Sequence, residues 1–397
     1  MKWYRVQIGA YVLKKNAENV CADLIEKGFK TVIAHEQMLY KVRIGSFQDK
    51  AKAEKLLARV TEYKAYKKAK ILEWDDGKKF VPIQKPVDSE NAPDEDTDVD
   101  KGPKFHPLIK FIGIWFTESC ESKFGDAECF IEYDTDGKTV KHTILVDTGQ
   151  SGTDTIKKLK KLGVKVLDAV VISHAHGDHY GYLSDILKEF KVLHLYLPGI
   201  DGLKKYQSSY AKAIQNQEKK AKKYGIPVTY LTTGRKFTIG HIDCFCRYQV
   251  PAYELSEKDG HHFVNNQSIA TLVVLDGRGR VLLTGDLSNP GNKVLMKRVD
   301  KQVVAADIAK CGWHGDGNAM TTDWARFIGA IAWFWNYHHK ESRGGRGNTR
   351  KKLEKAGVKH ILRNFEDGDL TFAYQDGEWN VTTSKSKKTL SFKSRFA

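Results

Sequence analysis

The chain has 397 residues, 41% of them apolar, which is room for two ordinary domain cores and excludes a disordered or fibrous polymer. A formal net charge of +16 favours a polyanionic partner, teichoic acid or nucleic acid being the two candidates. No stretch approaches the length of a membrane-crossing helix, so no membrane span is predicted.

The first residues, Met1-Lys-Trp-Tyr-Arg-Val6, run straight into a strand pattern without an apolar leader, so no secretion signal is visible and the compartment stays open. Tyr4-Arg-Val6-Gln7-Ile8-Gly9-Ala-Tyr11 then recurs as Tyr40-Lys-Val42-Arg43-Ile44-Gly45-Ser-Phe47, a shift of 36 residues. Each copy alternates apolar and polar side chains as a strand does, and each passes into a helical period, over Ala17–Lys27 and Ala51–Val60. Two strand-helix units of this size predict a small α+β domain over residues 1–76. The duplicated Val-Gln-Ile-Gly-Ala-Tyr pattern resembles a SPOR domain. That resemblance implies a ferredoxin-like targeting module that binds peptidoglycan glycan strands on a concave sheet face, and hence cell-wall association. Gln7, Tyr11, Arg43 and Phe47 are the candidate glycan-binding residues.

Residues 77–107 follow as a linker. Pro82–Pro107 holds five prolines and the acidic residues Asp88, Glu90, Asp94, Glu95, Asp96, Asp98 and Asp100, a composition that stays extended and solvated. Such a tether would raise the concentration of the following module near a surface already bound by the first.

Residues 108–397 carry the chemistry. Thr143-Ile-Leu-Val-Asp147 reads as a strand ending in a carboxylate. The apolar run Ala169–Ile172 leads into His174-Ala175-His176-Gly177-Asp178-His179, where Gly177 is expected to permit a tight turn. Imidazoles and a carboxylate so close together suit zinc, with manganese or iron as alternatives. Two later segments have the same form: Arg280–Asp286, and Val303–Lys310 leading to Cys311-Gly-Trp313-His314. Strand ends along one sheet edge are a usual place to assemble a site.

From about Lys110 to Thr383 the chain resembles a metallo-beta-lactamase fold hydrolase, on the HxHxDH run with Asp147 before it and Asp286 and His314 after it. The resemblance implies an αββα sandwich and a centre of two divalent ions. One ion would take His174 and His176; the other would take Asp178, His179 and His314; Asp286 would bridge, with Asp147 behind. The segment Asn265-Asn266-Gln267-Ser268 is similar to the ComEC-type branch and to the teichoic acid phosphorylcholine esterases, where an Asn-x-Ser segment replaces another His ligand. Asn265 and Asn266 are therefore candidates for a supporting role, while His261 or His262 could still be a third ligand at the first ion. Trp313 departs from the branch by replacing the first His of a His-His-Gly triplet.

Asp178, His338 and His339 are the candidate catalytic residues, the His pair in Trp335-Asn-Tyr-His-His-Lys340 as phosphate ligand or proton donor. The six cysteines Cys21, Cys120, Cys129, Cys244, Cys246 and Cys311 show no zinc-ribbon spacing and read as buried thiols, though Cys311 could approach the metals. Three functions follow: a metal-dependent phosphodiesterase of the cell envelope, a ComEC-type nuclease, or a non-catalytic wall-binding protein.

Overall fold

The structure, a computed structural model, describes residues 3–11, 20, 21, 23, 24, 29, 31–36, 39–47, 49–63, 66, 69–74, 106–114, 125–256, 258, 260–336 and 346–397. Two compact units divide the chain, Met1–Lys104 and Phe105–Ala397.

In the first unit, β1 (Trp3–Tyr11), β2 (Thr31–Glu36), β3 (Leu39–Phe47) and β4 (Lys70–Trp74) form one antiparallel sheet in the order β2-β3-β1-β4, the ferredoxin-like order. The helix Lys50–Thr61 starts at Asp49, whose carboxylate accepts from the Ala51 N–H at 2.8 Å. The repeated strands are neighbours: Gln7 lies opposite Arg43, Tyr4 opposite Phe47, and Tyr11 opposite Tyr40. Val6, Ile8, Val42 and Ile44 pack with Leu24, Phe29 and Val60 in the core. Period-two alternation therefore puts Gln7 and Arg43 on the other face. Phe47 is half-buried. Arg43 is only 2% exposed, with its Nε donating to Gln7 Oε1 at 3.5 Å, so its guanidinium is not openly presented.

The second unit begins with β5 (Ile109–Gly113), β6 (Glu128–Tyr133), β7 (Val140–Val146), β8 (Val166–Leu167), β9 (Ala169–Val171), β10 (Lys191–Val192), β11 (Leu195–Pro198) and β12 (Val228–Leu231). It continues with β13 (Lys236–Ile239), β14 (Ile242–Gln249), β15 (Ile269–Leu275), β16 (Gly279–Leu283), β17 (Ile308–Lys310), β18 (Ala332–Trp335), β19 (His360–Arg363), β20 (Leu370–Gln375), β21 (Glu378–Thr383) and β22 (Thr389–Lys393). A nine-stranded sheet runs β12-β11-β9-β7-β6-β5-β20-β21-β22 and a seven-stranded sheet runs β13-β14-β15-β16-β17-β18-β19, while β8 and β10 pair apart. One hydrophobic core joins the two large sheets, drawing Phe111, Phe130, Ile144 and Val171 from the first and Cys244, Val273, Ile308 and Phe334 from the second. With helices such as Ser208–Lys223 and Asn289–Arg298 outside, this is an αββα sandwich.

Sequence character explains the layers. β15 is apolar but for Thr271 and buried at every position, as a strand covered on both faces should be. β14 alternates, sending Ile242, Cys244 and Cys246 inward. The strands β7, β9, β11 and β12 are mutually parallel, as are β16, β17, β18 and β19. Their carboxyl ends deliver Asp147, the His174–His179 run, Asp286 and His314.

Two expectations are corrected. Val303 and Val304 belong to a short helix, Lys301–Val304, capped by Asp300 accepting from Gln302 N, so the strand begins only at Ile308. Gly177 makes no tight turn: it is exposed, opens the helix Gly177–Tyr180, and a methyl group there would meet nothing.

Phe111 stacks on Phe130 and Phe372 with ring centroids 4.7 and 5.2 Å away. Replacing it by Ala should cost the second unit about 3–5 kcal/mol, read as an earlier urea midpoint. Phe111 also meets Phe334 of the facing sheet edge-on at 5.3 Å, so a shift below about 1 kcal/mol would mean that these aromatic contacts do not hold the core together.

Candidate metal centre

Two groups of ligand-type atoms converge at the sheet edge. Asp126, His179, Asp286 and His314 form one, and His174, His176 and Asp286 the other, each set lying within 4.8 Å, so Asp286 belongs to both. Asp178 is adjacent, its Oδ2 2.9 Å from His314 Nε2 and 3.8 Å from His179 Nε2.

Each imidazole is aimed by what sits behind it. His179 Nδ1 is 2.7 Å from Asp147 Oδ2, and Asp147 also accepts from the Ser173 amide at 2.7 Å and the Ser173 hydroxyl at 2.6 Å. His174 Nδ1 lies 3.1 Å from Ser173 Oγ, and His314 Nδ1 lies 3.1 Å from Asp126 Oδ1. Protons on these Nδ1 atoms leave the Nε2 lone pairs of His174, His179 and His314 facing inward, the tautomer a metal ligand requires. His176 turns its Nδ1 to within 2.9 Å of His174 Nε2. Its Nε2 faces the other way, 3.3 Å from His261 Nδ1.

The backbone is bent to reach these positions. Asp147, Trp313 and His314 have φ of 57°, 47° and 49°, the left-handed region that costs a residue with a Cβ roughly 1–2 kcal/mol. Gly125 has φ 126°, and a Cβ there would lie 1.8 Å from the Asp178 carbonyl oxygen. Only glycine lets the Asp126 segment pass so close to the Asp178 loop.

The donor set fits a cation. His179 Nε2 and Asp286 Oδ1 are buried 3.3 Å apart and neither has a hydrogen-bond partner among the described residues. Such a pair is costly unless a third group binds both. Burial opposes charge on His179, but the carboxylates of Asp286, Asp147 and Asp178 outweigh it and hold its pKa well above the ordinary imidazole value. His314 is raised in the same way, against burial, by Asp286 and Asp126. Burial, then the positive His179, holds His174 well below the ordinary value, and burial lowers His176 to about 4. Burial works to raise Asp286, but His314 and His179 keep it well below the usual carboxylate range.

Residues 2–72 match the SPOR domain and residues 137–244 match the metallo-beta-lactamase superfamily. The chain joins a SPOR domain to a metallo-beta-lactamase domain. It is 24% identical over 221 residues to ComE operon protein 3 of Bacillus subtilis, a match that spans 54% of this chain and only 25% of that protein. Among solved structures it is similar to the peptidoglycan-binding domain of the B. subtilis cell wall lytic enzyme CwlC, with 33% identity over 19% of this chain and 92% of that one and a TM-score of 0.18. It is also similar to yeast PDE1, with 10% identity over 66% of this chain and 99% of that one and a TM-score of 0.39.

Within the metallo-beta-lactamase domain, the remaining candidates separate. Asn266 Oδ1 accepts from the Ser288 amide, the Ser288 hydroxyl and the Gly291 amide at 3.0–3.2 Å, pinning the loop after Asp286. Ser268 Oγ accepts from the Asp286 amide at 3.1 Å. Asn265 is buried, and its Oδ1 has no hydrogen-bond partner among the described residues. His261 stands behind His176 rather than with its inward face, and His262 packs its ring edge-on to Trp313 at 5.0 Å. Cys311 is buried, which pushes its thiol up, and it joins neither ligand group. His338 and His339 lie outside the described residues. Asp126 is one residue that sequence reasoning missed; the available signal was a Gly-Asp pair just before a strand, the mirror of Asp147 just after one.

These shifts fix a pH profile for the metal-free protein. Between pH 6.5 and about 4 the unfolded chain binds more protons than folded His176 does, so stability falls as pH falls through that window. His179 and His314 act oppositely: their contribution is complete below pH 6.5 and is lost as pH rises through their elevated folded values. Thermal unfolding after chelation should therefore show a maximum near pH 6.5, and added zinc should remove the alkaline decline by replacing those protons. A melting temperature that rises steadily to alkaline pH without metal would contradict this.

Proposed function

We propose that the metallo-beta-lactamase domain is a two-ion phosphodiesterase of the cell envelope, held at peptidoglycan glycan strands by the SPOR domain. The observation that carries the reading is Asp286, the one carboxylate shared by two groups of inward-facing imidazoles. Two divalent ions bound there, zinc first and manganese second, would supply a hydroxide near neutral pH and stabilise the charge of an in-line displacement. His174 and His176 would hold one ion; His179, His314 and Asp178 the other; Asp286 both. Asp147 and Asp126 keep the Nδ1 protons in place, so the ligands need no rearrangement on loading. His338 and His339 are the candidates for donating a proton to the leaving oxygen.

A polyanionic substrate is supported by charge near the site. Tyr210 packs its ring edge-on against His176 at 5.4 Å, and from it the helix Ser208–Lys223 carries exposed Lys212, Lys219, Lys220, Lys222 and Lys223. Teichoic acid suits both this surface and a wall-binding domain. The second reading is a nuclease acting on DNA, favoured by the likeness to ComE operon protein 3 and by the charge of +16.

The full chain loaded with zinc or manganese should hydrolyse bis-p-nitrophenyl phosphate, and phosphorylcholine esters faster than DNA; the reverse order would select the nuclease. Asp286→Asn should lower kcat by about 100-fold or more, since metal stabilisation is worth several kcal/mol. Activity retained in that variant would sink the two-ion reading. For the SPOR domain, the full chain should sediment with amidase-treated sacculi, and Gln7→Ala, at a half-buried position on the face away from the core, should weaken that retention. Binding only to untreated sacculi would argue against glycan recognition.

A further inference from the structure

The structure assigns Lys310 as a positioning residue that fixes the bridging carboxylate relative to the second ion's imidazole. This rests on the two-ion reading of the centre. Lys310 ends β17, a strand buried at every position, and is itself 1% exposed. A buried ammonium costs several kcal/mol unless its N–H groups are answered. Both groups that answer it belong to the centre. Its Nζ donates to the Gly285 carbonyl at 2.9 Å, on the residue immediately before Asp286. It also pairs with Asp126 Oδ2, while Asp126 Oδ1 holds His314 Nδ1 at 3.1 Å.

One ammonium is therefore tied to Asp286 through the backbone and to His314 through a carboxylate. Asp286 Oδ2 and His314 Nε2 meet at 3.4 Å on the inner side of that clamp. Glu128, Asp147, Ser173, Gly285 and Lys310 line one closed space beneath the ligands, so the support for His179 and the support for His314 lie in the same layer. Asn336 closes that layer, donating from Nδ2 to Glu128 Oε1 at 2.6 Å. His174 and His176 share Asp286 with the clamp, but their own supports are other groups: Ser173 stands behind the first and His261 behind the second.

The consequence is asymmetric. Without the ammonium, both ions lose the fixed placement of Asp286, but the ion held by His314 loses the placement of that imidazole as well and should suffer more. The test is zinc titration of the full-length, metal-freed protein against a chromophoric chelator, with stoichiometry by elemental analysis. In Lys310→Met the second equivalent should weaken by about 10–100-fold, the usual effect of removing a group behind a ligand, and the first by clearly less. Because that variant leaves Asp126 as an unanswered buried charge and could fail to fold, Lys310→Met/Asp126→Asn is the companion. It removes both charges, keeps an acceptor for His314, and should unfold in urea at the wild-type midpoint while still binding the second equivalent weakly. Wild-type affinity for both equivalents in a folded variant, or equal weakening of both, overturns the assignment. Fewer than two equivalents in the wild-type protein overturns the two-ion reading itself, and that result is seen before any variant is made.

Discussion

Charge buried at a sheet edge must be answered by other charge, and the metallo-beta-lactamase domain is arranged around that requirement. Asp126, Asp147 and Asp286 are each 2% exposed or less, as are His174 and His179. None could stay ionised alone at such depth. Asp147 is answered by Ser173 and His179, Asp126 by Lys310 and His314, and Asp286 faces imidazoles on several sides. A divalent ion would complete this arrangement with charge where protons on His179 and His314 otherwise stand.

The rigidity needed to hold such groups comes from the core beneath them. Parallel strands in both sheets end at one edge, so side chains distant in sequence arrive on backbones already fixed by ladder hydrogen bonds and by apolar packing. The stored strain is local, in the left-handed turns at Asp147 and at Trp313–His314, and the strand ends on either side hold it.

The fold was readable wherever a pattern was local. The 36-residue repeat, the apolar strands and the closely spaced HxHxDH run each declare themselves within a short window. Asp286 and His314 were readable for a related reason: each follows a short apolar strand. What escaped was set by contacts between distant segments. Asp126 matters because Gly125 lets it approach Asp178, and Lys310 looks like an ordinary strand residue until its two partners are in place. His261 lies near the site in sequence and in space, but the two nitrogens of His176 point in different directions, and only geometry shows which one His261 meets. Val303 and Val304 read as strand because β-branched residues favour one; the Asp300 cap and the coming turn make them helical instead.

In the SPOR domain the repeat and the strand register act together. Adding 36 to 7 gives 43, and Gln7 lies directly across from Arg43; the same shift carries Tyr4 to Tyr40 and Tyr11 to Phe47, exchanging the facing pair Tyr4 and Phe47 with the facing pair Tyr40 and Tyr11. β1 and β3 are thus related by a local twofold axis that passes between Gln7 and Arg43. A linear polymer crossing that axis meets nearly the same sequence of residue types in either polarity. Telling one end of such a polymer from the other would then fall to the positions where the repeats differ, and at the axis itself these are a half-buried amide, Gln7, and a buried guanidinium, Arg43.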